Sequence, residues 1–478
     1  MKRVVIIILV MASLSSLFGC TTGDNEKKIT SDNSLKEEIE NKEDNSNDSI
    51  DDKKGVKEDE VTIAIWDPYY WELQIKFPML RGELAKIKEK TGINIRYDVI
   101  EAENQQEFIK KLNTKLYLDK GPTLIYFYNM PTKIYTESGV ALNLEGKIEN
   151  LDNIYDSIRD KNNYFVPIGM ETNFIELNKY ESSKMGIEEP DLNWSWDDYI
   201  TIRDKWLKEN GRKLKSRLIS ETYYHKINEI DIIDMKSKKA NINTKEVKDT
   251  IKDLRDEFLY GKYEVPNNLK EEDYYKIFFD FNNLTKEEQT KYNNFDSLPL
   301  NYIFHYPSEN GLYTSTLDNK IRKNKAVLPY TGARGENVYL AGFLVNKNGK
   351  NIDNAIKFLN YILSDKTQMK LYADFKKLGS RFYPVNKNIE NKIKKVEKNG
   401  DFNEKALQLK EYQLEKIKSG EYKTKIVYKD QNMKMFTLRN KLYKDIFKLV
   451  FADEEYSDSK LERKLQELEN QYNIYLNE

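Results

Sequence analysis

TGINIRYDVIEAENQQEFIKKLNTKLYLDKGPTLIY, residues 91–126, decides the fold. Ile93, Ile95, Tyr97 and Val99 alternate with polar neighbours, the period of a strand with one face buried. Phe108, Leu112 and Leu116 then recur at the spacing of one helical face. Gly121-Pro122 is a turn signal, and the apolar run from Leu124 to Tyr128 has the length of a strand. Upstream, Val61 to Trp66 is another strand, and Leu80, Leu84 and Ile87 share a helical face that stops at Thr91-Gly92, where glycine ends a helix. The order βαβαβ implies an α/β fold with a parallel sheet and right-handed crossovers.

Ligands of open α/β sheets bind beyond the carboxyl ends of the strands, where loops converge. Those ends carry Trp66-Asp67 and Tyr128-Asn129, each an aromatic face beside a hydrogen-bonding group, which is the pairing small-molecule pockets use. Two readings are open for these four residues: contact with a solute, or rings that cover the sheet end as core. Tyr69, Tyr70 and Trp71 crowd the same loop. A sugar packs its C–H face on rings while its hydroxyls bond to Asp, Asn, Glu or Arg, so Trp66, Asp67, Tyr70 and Trp71 suit a carbohydrate. Some of these rings also serve as a plug between loop and helix.

The chain has 478 residues, more than one core ordinarily supports, so at least two lobes are expected. Its 78 basic and 79 acidic side chains balance, leaving no global field to favour nucleic acid. Lys2 and Arg3 precede an apolar run from Val4 to Leu17, then Leu17-Phe18-Gly19-Cys20, which is the order of an export signal. The run falls short of the ~20 apolar residues of a membrane span. Residues 1–19 resemble a lipoprotein signal peptide, with Phe18 bulkier than the usual residue; the resemblance implies cleavage before Cys20 and a lipid thioether on its sulfur. Cys20 is the single cysteine, which excludes an intrachain disulfide and a cysteine-based zinc cluster. Residues 20–60 are then the lipidated cysteine and a polar tether, too poor in apolar side chains to offset its ordering entropy.

Residues 91–126 resemble the first lobe of maltose-binding-like, family 1 extracellular solute-binding proteins of ABC transporters: Thr-Gly-Ile, an alternating strand, a Phe-x-x-Lys-Leu helix, then Gly-Pro-Asp-Leu, with Thr123 here in place of the Asp. Further matches keep the family order. They are Gly139-Val140-Ala141 through Leu144; Val166-Pro167-Ile168-Gly169 leading to Leu177-Asn178-Lys179; and Met185-Gly186-Ile187 through Pro190 to Trp196-Asp197-Asp198. Ala355 to Leu359, Ser364, Gln368 and Tyr383-Pro384-Val385-Asn386-Lys387 complete the set. The resemblance covers nearly all of residues 61–390.

It implies a two-lobed, type II-like periplasmic-binding-protein fold with hinge strands and a ligand cleft. The first lobe is expected at 61–166 and 327–348, the second at 167–326 and 349–478. The chain would leave the first lobe near Tyr164 to Gly169, cross back at Val327 to Tyr330 and return as the strand Tyr339 to Val345. The helix from Asn351 would then open the final passage to the second lobe. The implied function is capture of a small-molecule solute, a carbohydrate and specifically an oligosaccharide, by hinge closure. Permease subunits driven by a separate ATPase would receive it, and the chain is expected to act as a monomer on the outer face of the membrane, held by its lipid anchor.

Glu171 follows the expected hinge and would face the cleft from the second lobe, binding hydroxyls or a cation, or else standing as a solvated loop acid. Trp194-Ser195-Trp196-Asp197-Asp198 reads as a helix start, with Ser195 and Asp198 as a capping box and Trp194 and Tyr199 as its staple. Thr331 to Asn337 lacks the spacing of a phosphate loop, so no nucleotide is expected. Arg334, Glu336 and Tyr339 lie near the cleft rim if the return strand is right, and Arg334 either clamps an anionic group bidentately or is solvated.

Nothing points to catalysis, a metal or another cofactor. His225 and His305 have no metal-ligand spacing, and no nucleophile elbow is present. Asp197 and Asp198 are adjacent on a helix and do not face one another. A glycosidase's two acids are placed by the fold, so a glycan-acting lipoprotein stays open as an alternative. So do a sensing lipoprotein and the same scaffold holding a peptide, polyamine or organic anion. Leu461, Leu465, Leu468 and Tyr472 form a stripe expected to dock on the second lobe.

Overall fold

The computed structural model describes residues 60–67, 70, 86–102, 105–118, 121–128, 132–210, 216–230, 232–234, 237–259, 269–280, 284–296, 302–308, 324–332, 335–378, 382–400, 403–424 and 433–477. The signal peptide, Cys20 and the tether up to residue 59 lie outside the described residues, as do Trp71, Asn129 and Arg334. The chain divides into Met1–Gly55 and Val56–Glu478, and every described residue belongs to the second unit.

The principal elements, in chain order, begin with β1 (Glu60–Trp66), β2 (Asn94–Ile100), α1 (Gln105–Leu116), β3 (Leu124–Tyr128), β4 (Phe165–Thr172) and β5 (Phe174–Asn178). There follow α2 (Trp196–Glu209), α3 (Ser216–Asn228), α4 (Lys245–Phe258), β6 (Phe304–Ser308), β7 (Lys325–Pro329) and β8 (Asn337–Val345). The last are α5 (Ile352–Leu363), α6 (Asp365–Leu378), α7 (Glu390–Lys398), α8 (Glu404–Ser419), β9 (Lys423–Thr424), α9 (Met433–Phe451) and α10 (Asp458–Asn477).

The strand order of the βαβαβ reading holds, with residues 86–91 helical ahead of β2 while Leu80 and Leu84 lie outside the described residues: β1 pairs in parallel with β2, Glu60 opposite Asn94 through Trp66 opposite Ile100, and with β3, Ile63 opposite Leu124. Strand β8 runs antiparallel between β3 and β4, and its first residues continue onto β9 where β3 ends. All of β8 after Asn337 is buried, as expected of a strand covered on both faces. The register slips beside Pro167, which cannot donate to the ladder: Ala341 faces Gly169 but Gly342 faces Pro167. A Cβ at Gly342 would stand 2.3 Å from the Val166 carbonyl oxygen, so only glycine fits there. The second sheet is antiparallel and smaller, with β5 between β6 and β7.

Two large cores result. The first joins Val61, Ile63, Phe108, Leu112, Leu124, Val166 and Phe343 to Phe358, Leu359, Tyr383, Leu414 and Ile417. The second joins Ile175, Trp206, Tyr223, Ile251, Leu328, Phe447, Leu461, Leu465 and Tyr472. The stripe of α10 thus packs where its periodicity suggested. The lobe boundaries differ from the expected ones. Residues 349–398 were placed with the second lobe, but Ala355, Phe358, Leu359 and Ile362 of α5, Leu371 of α6 and Ile393 of α7 all pack into the first core. Strand β4, expected to begin the second lobe, belongs to the first sheet, whereas Leu328 and Tyr330 belong to the second core. The first crossing is Asn173, the one residue between β4 and β5, and not the stretch from Tyr164 to Gly169. The second crossing lies between β7 and β8.

Helix α8 is built into the crossings. Its Leu414 and Ile417 enter the first core, while Ala406 and Leu409 pack against Phe174 of β5 and Val327 of β7 in a small third cluster.

Candidate functional site

The carboxyl ends of β3 and β4 flank β8, with Tyr128 opposite Ala341 and Glu171 opposite Tyr339. The Tyr128 hydroxyl donates to the Glu171 carboxylate. Glu171 is fully buried, and Tyr128 and Tyr339 are nearly so. The expectation that Glu171 stands in the second lobe is therefore corrected: it is a strand residue of the first sheet, because β4 runs on to Thr172 before crossing. Tyr128 meets Phe382 edge-on at 5.5 Å, and Tyr383 holds the preceding Met170 through paired backbone bonds of 2.6 and 2.8 Å.

The crossing residue ties this group together. The Asn173 side-chain amide donates to the Tyr339 hydroxyl at 2.8 Å. Gln413 of α8 donates from Nε2 to the Asn173 carbonyl at 2.8 Å and accepts from Thr172 Oγ1 at 2.9 Å. Both Thr172 and Gln413 are fully buried. Neither Asn173 nor Gln413 was singled out in the sequence. The available signal was a glutamine on the apolar face of α8, between Leu409 and Ile417.

The Gly335 amide donates to the Gly332 carbonyl at 2.7 Å, and a Cβ at Gly335 would stand 1.8 Å from the Tyr330 carbonyl oxygen. Glu336 follows it, exposed, and its charge reaches Tyr412, Lys416 and Tyr422. Burial, with Tyr412 and Glu336 behind it, pushes the Tyr422 hydroxyl above its usual range.

At the end of β1, Trp66 is half-buried; its indole N–H donates to the Ala102 carbonyl at 3.0 Å and its ring stacks on Phe108 at 5.9 Å. Tyr70 meets Tyr97 edge-on at 5.3 Å. Partial burial and then the nearby Glu101 raise the Asp67 carboxyl above its ordinary value. Of the expected site residues, Tyr128, Glu171 and Tyr339 are brought together around β8. Trp66, Asp67 and Tyr70 stand at the end of the neighbouring strand, and the rings of Trp66 and Tyr70 pack against the first core.

On the second core, Ser195 and Asp198 form the capping box of α2, with Trp194 edge-on to Tyr199 at 6.1 Å as the staple. The Trp194 indole donates to the Pro329 carbonyl at 2.8 Å. Trp196 packs on His225 at 4.0 Å and on Tyr199 at 4.8 Å. Burial lowers the His225 imidazole below its ordinary value, against the opposing pull of Glu229 and Asp197.

Around β8, then, a buried carboxylate, two phenols and a carboxamide converge, groups that give and take hydrogen bonds with hydroxyls. Among the described residues, no group of three or more His, Cys, Asp or Glu could hold a metal ion, and no helix is long and apolar enough to cross a membrane.

Residues 84–404 match the profile of a family described as bacterial extracellular solute-binding protein. No curated protein sequence matches the chain. Among solved structures, a periplasmic-binding protein from Synechococcus sp. MITs9220 is similar with a TM-score of 0.58 at 12% identity, over 87% of this chain and 99% of that one. Maltose-bound MalE3 of T. maritima gives 0.55 at 10% identity, over 87% and 99%. UgpB of Mycobacterium tuberculosis, in complex with glycerophosphocholine, gives 0.53 at 12% identity, over 87% and 98%.

Proposed function

We propose, for a chain that belongs to the family of bacterial extracellular solute-binding proteins, that it captures a carbohydrate outside the cytoplasm and delivers it to the permease of an ABC importer. The observation that carries the reading is the Tyr128, Glu171 and Tyr339 group at the carboxyl ends of β3 and β4, with Glu171 two residues from the crossing at Asn173. A polar group placed there holds a hydroxyl-rich solute by hydrogen bonds, and aromatic rings supply the faces on which its C–H surface lies. Trp66, Asp67, Tyr70 and Trp71 from the end of β1, with Asn129, Arg334 and Glu336, are the proposed remainder of the contact set.

Capture and release follow from the crossings. If solute binds the closed arrangement of the lobes better than the open one, occupancy shifts the population toward closure by that difference in affinity. Closure is then what the permease reads. A lipid on Cys20 keeps the loaded protein at the membrane surface. Mass spectrometry of the exported chain tests the anchor, expecting an acylated Cys20 as the first residue; an unmodified Cys20 following an intact signal would remove it.

Thermal unfolding of residues 21–478 with maltotriose, neutral monosaccharides, glycerophosphocholine, polyamines and short peptides tests the solute class. Stabilisation by sugars supports the proposal. Stabilisation by a phosphodiester such as the one held by the mycobacterial protein would assign this chain the same scaffold with a non-sugar solute.

A further inference from the structure

We infer that Gln413 is a positioning residue for the solute site, acting through Asn173 to hold the hydroxyl of Tyr339. The assignment of Tyr339 as a solute contact rests on the function proposed above; the chain of hydrogen bonds does not. Gln413 lies on the buried face of α8, beside Lys410, whose ammonium is fixed by the buried carboxylate of Glu397. Glu397 also accepts from the Tyr372 hydroxyl at 2.6 Å. These contacts lock α8 to α6 and α7 on the first core, so the Gln413 carboxamide is presented from a rigid support.

From there it grips the crossing twice. Its Nε2 donates to the Asn173 carbonyl, and its Oε1 accepts from Thr172. A residue at a crossing between two sheets has neither sheet's ladder to fix it, so its backbone takes its position from such side-chain bonds. With the Asn173 backbone held, its side-chain amide is aimed at Tyr339. Tyr339 thereby has its oxygen engaged and its ring fixed before solute arrives, which is the preorganisation that lowers the cost of binding. The apolar contacts of Ala406 and Leu409 with Phe174 and Val327 place the same helix against the far side of both crossings.

The test places 3-fluorotyrosine at position 339 alone and records its fluorine resonance in the solute-free chain. The parent is expected to show one narrow line. Gln413→Met, which removes both bonds to the crossing while keeping the volume, and Gln413→Glu, which keeps the acceptor for Thr172 but loses the donor to Asn173, should each broaden or split it; both also lose the contact of the carboxamide with the Tyr422 hydroxyl. Thr172→Val, which removes only the other bond, should leave it unchanged. An unaltered line in both Gln413 variants overturns the inference, and so does a Thr172→Val line as disturbed as theirs.

Calorimetric titration with maltotriose supplies a second readout. Gln413→Met and Tyr339→Phe should each weaken binding about tenfold or more, and the double variant should bind no worse than Tyr339→Phe, as for residues acting in series. Additive losses would place Gln413 outside the path to Tyr339. Failure of the parent chain to bind maltotriose counts against the sugar reading alone, and the fluorine result then decides the positioning role by itself.

Discussion

The hydroxyl of Tyr128 donates to the carboxylate of Glu171, joining the carboxyl ends of strands β3 and β4 on either side of β8. The two residues are 43 apart in sequence, and the bond is fully buried. It places an acid and a phenol of the candidate site in one polar unit, next to the crossing at Asn173.

Tyr128→Phe tests that unit. The ring keeps its edge-on contact with Phe382, but Glu171 loses a buried donor, and removing one partner of a buried hydrogen bond costs roughly 1–3 kcal/mol. Urea unfolding should show a loss of about 2 kcal/mol. A change within a few tenths of a kcal/mol would mean that water replaces the hydroxyl and that the bond does not organise the site.

The Lys410 and Glu397 pair is buried on both sides. Removing one partner of such a pair leaves an uncompensated charge and costs roughly 3–5 kcal/mol. Lys410→Met should therefore lower the urea midpoint strongly. Adding Glu397→Met should recover most of the loss, since replacing both ions by apolar groups is often neutral. A double variant as unstable as Lys410→Met would show instead that Tyr372, left without its carboxylate partner, carries the cost.

Ser195 gives a prediction with a pH signature. Its backbone amide and hydroxyl donate to Asp198, and these bonds hold the Asp198 carboxyl below its ordinary value. A carboxyl lowered in the folded state adds stability that is present above its unfolded value and lost as pH falls through its folded one. Ser195→Ala should cost about 1 kcal/mol at neutral pH, as loss of an N-cap does. The difference from the parent should shrink as pH drops below about 4, the unfolded carboxylate range. It should not vanish, because the Ser195 oxygen also accepts from the Asp198 amide, a bond with no titrating acceptor. A pH-independent difference would mean that the Ser195 hydroxyl does not bond to the Asp198 carboxyl.

Much of this was legible in the sequence, and the reasons are specific. The alternation of Ile93, Ile95, Tyr97 and Val99 and the spacing of Phe108, Leu112 and Leu116 each match one secondary-structure period, so β2 and α1 followed directly. The Ser195 cap was readable because its partners are local. Lobe membership was not. The stripe of Ala355, Phe358, Leu359 and Ile362 says that α5 is covered but not by which sheet. The first crossing was hidden because only Asn173 separates β4 from β5, and it is buried like the strand residues on either side. Tyr128 was named for a strand end, Glu171 for following the expected hinge and Tyr339 for lying near the cleft rim, but their convergence depends on β8 lying between β3 and β4, a pairing across the whole chain. Gln413 was missed since a single polar residue on an amphipathic face carries no sign of its partner.

Carbohydrate capture is tested most directly by thermal unfolding of residues 21–478 across the solute panel, followed by calorimetry on whatever stabilises them. A solute that binds only the native state raises apparent stability by ~2.7 kcal/mol at a hundredfold excess over Kd. A rise with an oligosaccharide, no turnover of that sugar on prolonged incubation, and loss of the rise in Tyr339→Phe are expected. Stabilisation by no sugar, together with a rise from a polyamine, peptide or organic anion, would contradict carbohydrate capture.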